Sequence, residues 1–232
     1  MKIKLWHFYH AYARKNHENV WLPIVEEHVN ILHSSGIASR LDKTYIGVVG
    51  STSDAEKISA LFRAKNIEHE ICLLADCGWE QVTLNKLYEF SLDNDGYVLY
   101  AHTKGAAHPT GVRDYHRRTM NEHLIGSWSK NVDLLSSGFC ATGVFFLEGS
   151  PESACEERIP KESNPNIKLY RGFFAGNFWW CNLRFIKKMG NPSMENRIKA
   201  EAWMNNLYDS TGDIKYQVYD FLPDGLHEIL SK

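Results

Sequence analysis

The sequence lacks long hydrophobic runs and a strong excess of either charge. No stretch approaches the roughly 20 apolar residues that a membrane-spanning helix needs. The opening residues, MKIKLWHFYHAYARK, contain no continuous apolar segment of signal-peptide length. The formal net charge is -2, so the charge of the whole molecule does not indicate an electrostatic partner such as nucleic acid. These absences predict a soluble, cytoplasmic protein with no stable membrane insertion.

Paired cysteines and glycine-rich phosphate loops are also missing. The five cysteines lack the C-x-x-C spacing of a zinc site or a redox centre, and we expect them to be reduced and mostly buried. Neither G-x-G-x-x-G nor G-x-x-x-x-G-K-[ST] occurs, which weakens the case for an unrelated nucleotide-binding enzyme.

An alternation of short apolar strands and helix-like segments is the main pattern that is present. The predicted strands span residues 3–9, 45–49 and 70–74, and the predicted helices span about 20–34, 53–65 and 80–92. This rhythm predicts an α/β fold, a mainly parallel sheet covered on both faces by helices. Ligands are expected outside the carboxyl ends of the strands.

The 232 residues are 44% hydrophobic, enough to bury one substantial core. After about residue 138 the pattern changes to glycine, aromatic residues and loop formers, with a polar excursion over 148–166. We therefore predict a single domain over 1–232. Residues 1–137 are expected to bind a nucleotide-type ligand, and residues 138–232 the second substrate.

The stretch GYVLYAHTKG, residues 96–105, places polar residues at the exit of a buried strand. Lys104 is a point charge suited to phosphate, and His102 can be a ligand, a donor or a base. The alternative is a hydrophilic turn that ends at Gly105.

A basic helix begins near Val112. Its helical periodicity places two arginines on the stripe used by apolar residues for docking, which comprises Arg113, Arg117, Met120, Leu124 and Trp128. A helix N-terminus, two inward arginines and a neighbouring lysine could compensate a diphosphate. Structural pairing of these arginines with Asp and Glu is the alternative.

The stretch RGFFAGNFWW ends in the adjacent indoles of Trp179 and Trp180. Indoles can stack on sugar rings, Asn177 can donate to and accept from hydroxyls, and Gly176 allows close approach to the backbone. An aromatic core strand, with Asn177 satisfying a turn, is the alternative.

In RIKAEAWMNNL, a helix would place Arg197 and Glu201 together at the border of an apolar arc. A carboxylate there could have a raised pKa and act as a general base. The same two residues could instead form a plain ion pair.

The order of HFYHAY, YIGVVG, EQVTLNKL, YVLYAHTKG, FAGNFWW and RIKAEAW, from Ile3 to about Leu207, resembles small glycosyltransferases. These enzymes occur in bacterial polysaccharide loci, phages and large viruses. The resemblance implies a GT-A-like fold and transfer of a sugar from a nucleotide-sugar donor, expected to be a UDP-sugar, to a hydroxyl group.

The resemblance also implies site residues. Those expected on the donor side, together with the two helix arginines, are Tyr9, His10, Thr83, His102, Thr103, Lys104, Arg113 and Arg117. Those expected to face sugar or acceptor are Gly176, Asn177, Trp179, Trp180 and Arg197. Glu201 would be the catalytic base of an inverting enzyme, and a retaining mechanism would remove that role.

The chain departs from the wider GT-A pattern at the usual metal motif. Where an Asp-x-Asp is expected, residues 101–104 read Ala-His-Thr-Lys, and the triplet at 93–95 precedes the strand. Metal dependence is therefore left open. The departure also keeps a rival in view, a non-catalytic module that binds a sugar-nucleotide or a glycan.

Two chemical classes of acceptor are candidates. A bacterial glycan fits the resemblance, and so does hydroxymethylated cytosine in phage DNA, which would require base flipping or groove contact. The DNA acceptor needs a basic strip, for which the candidates are Arg118, Lys130, Arg158, Lys161, Lys168 and Arg171.

Overall fold

The structure is a computed structural model that describes residues 2–150, 153–154, 167–169, 172–192, 200, 203–204 and 217–222. The first half alternates strands and helices: β1 (Leu5–Tyr12), α1 (Glu18–Ser34), β2 (Lys43–Val49), α2 (Thr52–Ala64), β3 (His69–Ala75), α3 (Gln81–Asp93), β4 (Tyr97–His102), α4 (Gly111–Met120) and α5 (Trp128–Ser136). A 3-10 turn (Ile37–Ser39) follows α1, and a π-helical segment (Asn121–Gly126) joins α4 to α5.

Short strands dominate the second half of the described chain. They are β5 (Ala141–Gly143), β6 (Phe146–Ser150), β7 (Ser153–Ala154), β8 (Ile167–Leu169), β9 (Gly172–Phe174), β10 (Trp179–Asn182) and β11 (Gln217–Asp220), with α6 (Leu183–Met189) after β10. In the described residues, no helix is long and apolar enough to cross a membrane.

The main sheet has the strand order β3-β2-β1-β4-β10-β5-β11-β8. Strands β1 to β4 pair in parallel, whereas β10 runs antiparallel to both of its neighbours. A smaller sheet has the order β7-β6-β9. The predicted fold class is confirmed: the protein has a GT-A-like α/β fold with helices on both sides of a mostly parallel sheet.

Strand β1 extends three residues beyond its predicted end. It pairs with β2 on one side and with β4 on the other, and the hydrogen bond from Ala13 N to Val49 O (2.9 Å) continues the alignment past its end. Pairing on both sides keeps His10 in the strand, and pairing with β2 together with the hydrogen bond to the Thr103 hydroxyl keeps Tyr12 there.

The neighbours of β1 create the crevice that parallel sheets use for ligands. The chain passes from β1 to β2 and β3 on one side, and then returns to β4 on the other side. At such a reversal of strand order the connections diverge from the carboxyl ends of the two central strands and leave a cleft. The cleft therefore lies at the exits of β1 and β4.

Three histidines are buried without charge in the N-terminal half. His7 and His28 share a hydrogen bond between their Nε2 atoms (3.1 Å), and His10 contacts the Thr83 hydroxyl through Nδ1 (2.8 Å). Burial lowers the pKa of His10 and His28 to about 3 and that of His7 well below its ordinary value. All three imidazoles are neutral at pH 7.

These histidines predict acid-sensitive stability. Each binds a proton in the unfolded chain near pH 6.5 but not in the folded chain until far lower pH, so stability is complete above pH 6.5 and lost as pH falls. Together they should lower the free energy of unfolding by about 3–4 kcal/mol between pH 7 and 5.5. Urea denaturation across this range measures the loss. His28→Gln should reduce the slope by about one proton, whereas His33→Gln, at an exposed position of α1, should leave it unchanged.

Arg117 links α4 to α1. Its guanidinium donates to both carboxylate oxygens of Glu27 (3.2 and 3.0 Å) and to Asp114 Oδ1 (2.7 Å), and Asn121 also donates to Glu27 (3.2 Å). The Arg117 side chain is only 6% exposed. The expectation that Arg117 binds the donor is corrected, because its charge is already matched by two carboxylates.

Arg117→Ala is expected to destabilise the protein by about 2–4 kcal/mol, because it leaves Glu27 half-buried without its partner. Glu27 is 31% exposed, which keeps the loss in the lower part of the range for buried pairs. Arg118→Ala, at the exposed neighbouring position, is the matched control and should change stability by less than about 0.5 kcal/mol. Chemical denaturation of both variants measures the difference, and equal stabilities would contradict the structural role.

Candidate functional site

A cleft lies where β1 and β4 leave the sheet, with about 430 Å³ of empty space that includes the solvent at its mouth. Its lining comes from the ends of these two strands, from the segment before α3, and from the start of α4. The lining residues are His10, Tyr12, Trp79, Glu80, His102, Thr103, Lys104, Gly105, Ala107 and Arg113. Five of the residues predicted for the donor side are therefore together in one cavity: His10, His102, Thr103, Lys104 and Arg113.

The parallel pairing of β1 with β4 sets the floor of the cleft. His10 and His102 are partners in register, Thr103 N donates to His10 O (3.0 Å), and Tyr12 N donates to the Thr103 hydroxyl (2.8 Å). Thr83 lies beneath this floor, fully buried, with its hydroxyl on His10. Thr83 therefore orients His10 and does not line the cleft.

Lys104 and Arg113 bring positive charge to the cleft. Lys104 follows a tight turn in which its N–H donates to His102 O (2.7 Å), and Arg117 Nη1 holds the Lys104 carbonyl (3.1 Å). Arg113 is in the first turn of α4, where Thr110 caps the helix, and its Nη1 donates to His108 O (2.8 Å). Two cations beside a helix N-terminus can bind an anionic group such as a phosphate.

An aromatic pair forms one side of the cleft. The rings of Tyr12 and Trp79 stack with centroids 5.5 Å apart and planes 20° apart, and Trp79 is 38% exposed. A partly exposed, stacked indole offers a flat face for a planar base or a sugar ring. Neither residue was singled out from the sequence.

A buried polar network connects the cleft to the turn before β10. His102 Nε2 lies 2.7 Å from Gly176 O, and its Nδ1 lies 3.6 Å from Glu80 Oε1. Asn177 Nδ2 donates to Glu80 Oε2 (2.6 Å), and Trp179 Nε1 donates to Asn177 Oδ1 (2.8 Å). The five residues tie the start of α3, the end of β4 and the 176–177 turn into one unit.

Gly176 brings the turn against the cleft residues. Its φ is +95°, and a Cβ added there would lie 3.0 Å from Met120 Sδ and 3.3 Å from Lys104 Nζ. The groups that lie close to the backbone at this glycine are therefore the side chains of Met120 and Lys104. Asn177 is 1% exposed, and both polar atoms of its amide bind protein groups, so it supports the cleft from behind.

Three predicted contact residues lie in the core. Tyr9 is fully buried on the opposite sheet face from His10, stacked on His28 at 4.2 Å. Trp179 and Trp180 are each 0% exposed and point to opposite faces of β10, where Trp180 Nε1 donates to Leu124 O (2.8 Å). The expectation of an exposed indole platform is therefore corrected, because side chains alternate along a strand whose two faces are both covered.

Two further candidates, Arg197 and Glu201, lie outside the described residues. The same holds for Arg158, Lys161 and Arg171 of the proposed basic strip, and for the side chain of Lys168.

The acidic triplet at residues 93–95 lies at the amino end of β4, away from the cleft, as predicted. Asp93 ends α3, and Asp95 Oδ1 lies 3.8 Å from Arg184 Nε and 3.9 Å from Lys187 Nζ. Among the described residues, no three His, Cys, Asp or Glu side chains group closely enough to hold a metal ion.

Sequence reasoning missed three lining residues, Tyr12, Trp79 and Glu80. Each lies at the carboxyl end of a strand, Tyr12 in the last position of β1 and the other two between β3 and α3. The rule that ligands bind outside these ends could have identified both residues, because Trp79 falls between a predicted strand and a predicted helix and Glu80 is the first residue of that helix.

A second, more open cavity adjoins the cleft and shares Tyr12 with it, with about 1670 Å³ of empty space that includes open solvent. It extends over the exits of β1 and β2, and its lining includes Arg14, Ser51, Asp54 and Asp76.

Two solved structures resemble the fold. The 4-diphosphocytidyl-2C-methyl-D-erythritol synthase of Anaerococcus prevotii has a TM-score of 0.52 and 10% identity, over 97% of this chain and 91% of that one. S. aureus TarS, residues 1–349, has a TM-score of 0.54 and 14% identity, over 94% of this chain and 60% of that one. At such identities the likeness shows the shared fold alone. No curated protein matches the sequence.

A family model for a domain of unknown function, DUF8361, matches residues 8–155. This match covers more than half of the chain, including β1 to β4, the cleft at their carboxyl ends and the cationic start of α4. The chain therefore belongs to the DUF8361 family.

Proposed function

We propose that the protein is a glycosyltransferase that moves a sugar from a nucleotide-sugar donor to a hydroxyl acceptor. The observation that carries the proposal is the cleft between the exits of β1 and β4, which combines Lys104 and Arg113 with the Trp79–Tyr12 stack. Cations suit the diphosphate of such a donor, and the aromatic face suits its base or sugar. The resemblance of the motif order to small glycosyltransferases supports the same chemistry.

The reaction breaks the bond between the anomeric carbon and the β-phosphate oxygen, and it forms a bond from that carbon to the acceptor oxygen. The acceptor hydroxyl gives its proton to a base, the role proposed for Glu201 if the enzyme inverts. Negative charge develops on the leaving diphosphate, so cations fixed beside it supply the main catalytic stabilisation. Lys104 and Arg113 are the proposed source of that charge.

A nucleotide-sugar would span the two adjoining cavities. Its diphosphate would lie by Lys104, while its nucleoside would extend past Tyr12 over the exits of β1 and β2. The proposed donor is a UDP-sugar. The proposed acceptor is a glycan or hydroxymethylated cytosine in DNA, and the two differ in salt dependence, because a DNA acceptor would lose activity steeply as salt rises.

The donor screen is the primary test. The purified chain is incubated with UDP-, GDP-, CDP- and dTDP-sugars, with and without manganese, and both thermal shift and donor hydrolysis are measured. At least one nucleotide-sugar should raise the melting temperature and be hydrolysed slowly in the absence of acceptor. Stabilisation without hydrolysis or transfer would favour a non-catalytic binding module, and the absence of any shift would contradict the proposal.

Lys104→Ala and Arg113→Ala are each expected to lower the transfer rate by about 10²–10³-fold with little loss of stability. Both side chains are partly exposed in the cleft, so their removal opens no core cavity. Lys65→Ala is the matched control, because Lys65 follows α2 at the opposite end of the sheet. Unchanged transfer by both cleft variants, with folding intact by circular dichroism, would remove charge compensation from the mechanism.

A further inference from the structure

The buried network behind the cleft has two ends that admit only one hydrogen-bond direction. The indole N–H of Trp179 can only donate, and the carbonyl of Gly176 can only accept. Between them lie Asn177, Glu80 and His102. The positions of the protons in the network can therefore be derived from its ends.

From the Trp179 end, the orientation of the Asn177 amide is fixed. Trp179 Nε1 donates to Asn177 Oδ1 (2.8 Å), so the Asn177 Nδ2 group is the one that faces Glu80 Oε2 (2.6 Å). That contact requires Glu80 to accept. The N-terminal end of α3, where Glu80 precedes the first residue, also favours a negative charge.

From the Gly176 end, one proton of the His102 ring is fixed. Nε2 must carry a hydrogen to donate to Gly176 O (2.7 Å), which leaves Nδ1 facing Glu80 Oε1 at 3.6 Å, longer than a hydrogen bond. In a neutral ring of this tautomer, Nδ1 would turn a lone pair toward the carboxylate, whereas a proton between the two groups makes the contact attractive. Histidine ordinarily holds a proton to higher pH than glutamate does, which places it on His102.

An imidazolium at this position needs a carboxylate beside it, because other basic groups surround the ring. Phe178 stacks on it at 5.0 Å, Lys104 follows two residues later, and His10 is its partner in β1. Glu80 is the carboxylate that faces the ring and offsets this positive environment.

We propose that Glu80 is a positioning residue: it keeps His102 doubly protonated and so locks the 176–177 turn against the cleft. Without the proton on Nδ1, the contact between His102 and Glu80 turns from attractive to repulsive. The turn also lies close to Lys104, because a Cβ added at Gly176 would be 3.3 Å from Lys104 Nζ. Loss of the lock would therefore disturb the cation proposed to bind the donor.

Histidine side-chain NMR tests the assignment without any ligand. Nitrogen spectra of the whole chain are recorded from pH 6 to 10, and the His102 signals are assigned by their loss in His102→Gln. In the wild type both ring nitrogens should carry protons at pH 7.5. Glu80→Gln should lower the pKa of His102 by about 1–3 pH units, since burial then opposes the charge without a partner. A neutral wild-type ring at pH 7.5, or an unchanged titration in Glu80→Gln, would overturn the proposal.

Glu80→Gln is the conservative variant, because its amide can donate to a neutral Nδ1 and accept from Asn177. It should keep the network closed wherever its His102 is neutral, which includes the alkaline range in which the wild type opens. The wild type should open as His102 loses its proton, and Glu80→Ala should be open throughout. Exchange of the Trp179 indole N–H, corrected for its intrinsic rate, reports the closed state. Equal pH dependence of exchange in the wild type and Glu80→Gln would show a merely structural contact and refute the lock.

The consequence for donor binding rests on the proposed function. Affinity for the nucleotide found in the donor screen should fall in the wild type as His102 loses its proton, and should show no such step in Glu80→Gln. If no nucleotide binds but His102 titrates as described, the proposed function fails and the role of Glu80 in holding the turn stands. If nucleotides bind but His102 is neutral at pH 7.5, the role of Glu80 fails and the donor site stands.

Discussion

The parallel pairing of β1 with β4 is the interaction on which the candidate site depends. It places His10 beside His102, and it lets Thr103 donate its N–H to His10 O and accept a hydrogen bond from Tyr12 N at its hydroxyl. In the described part of the chain, the connections from β1 and β4 lead to opposite sides of the sheet, and a cleft remains between the two exits. The cations and Tyr12 come to the site from these exits, whereas Trp79 and Glu80 come from the segment between β3 and α3.

The strand and helix rhythm of the first half was predictable from the sequence because it is local. Apolar runs of strand length alternate with amphipathic segments, and Ser51 and Asp54 form a capping box at the start of α2. The end of β1 was wrong by three residues. Pairing with strands about 35 and 90 residues away extends β1 through His10 and Tyr12. Such long-range pairing leaves no mark in the local pattern.

The site was predictable in its location but not in the direction of its side chains. Polar residues at the exit of β4 indicated a cleft, and His102, Thr103 and Lys104 line it. Tyr9 was misassigned because both faces of β1 are covered and apolar, so the sequence does not show toward which face of the sheet its side chain points. Arg117 was misassigned because its partner Glu27 lies 90 residues away, and charge alone does not distinguish a carboxylate from a phosphate.

The π-helical segment after α4 fixes the number of residues between α4 and α5. A wide turn of this kind carries an extra residue, and here the Leu124 carbonyl accepts the Trp180 indole N–H. Because each helical residue advances by about 100°, removal of one residue would rotate the start of α5, including Trp128, whose indole reaches Ser35 O (3.1 Å). Related sequences that keep this arrangement should conserve the spacing between the cationic helix and Trp128 more strictly than the residues in between.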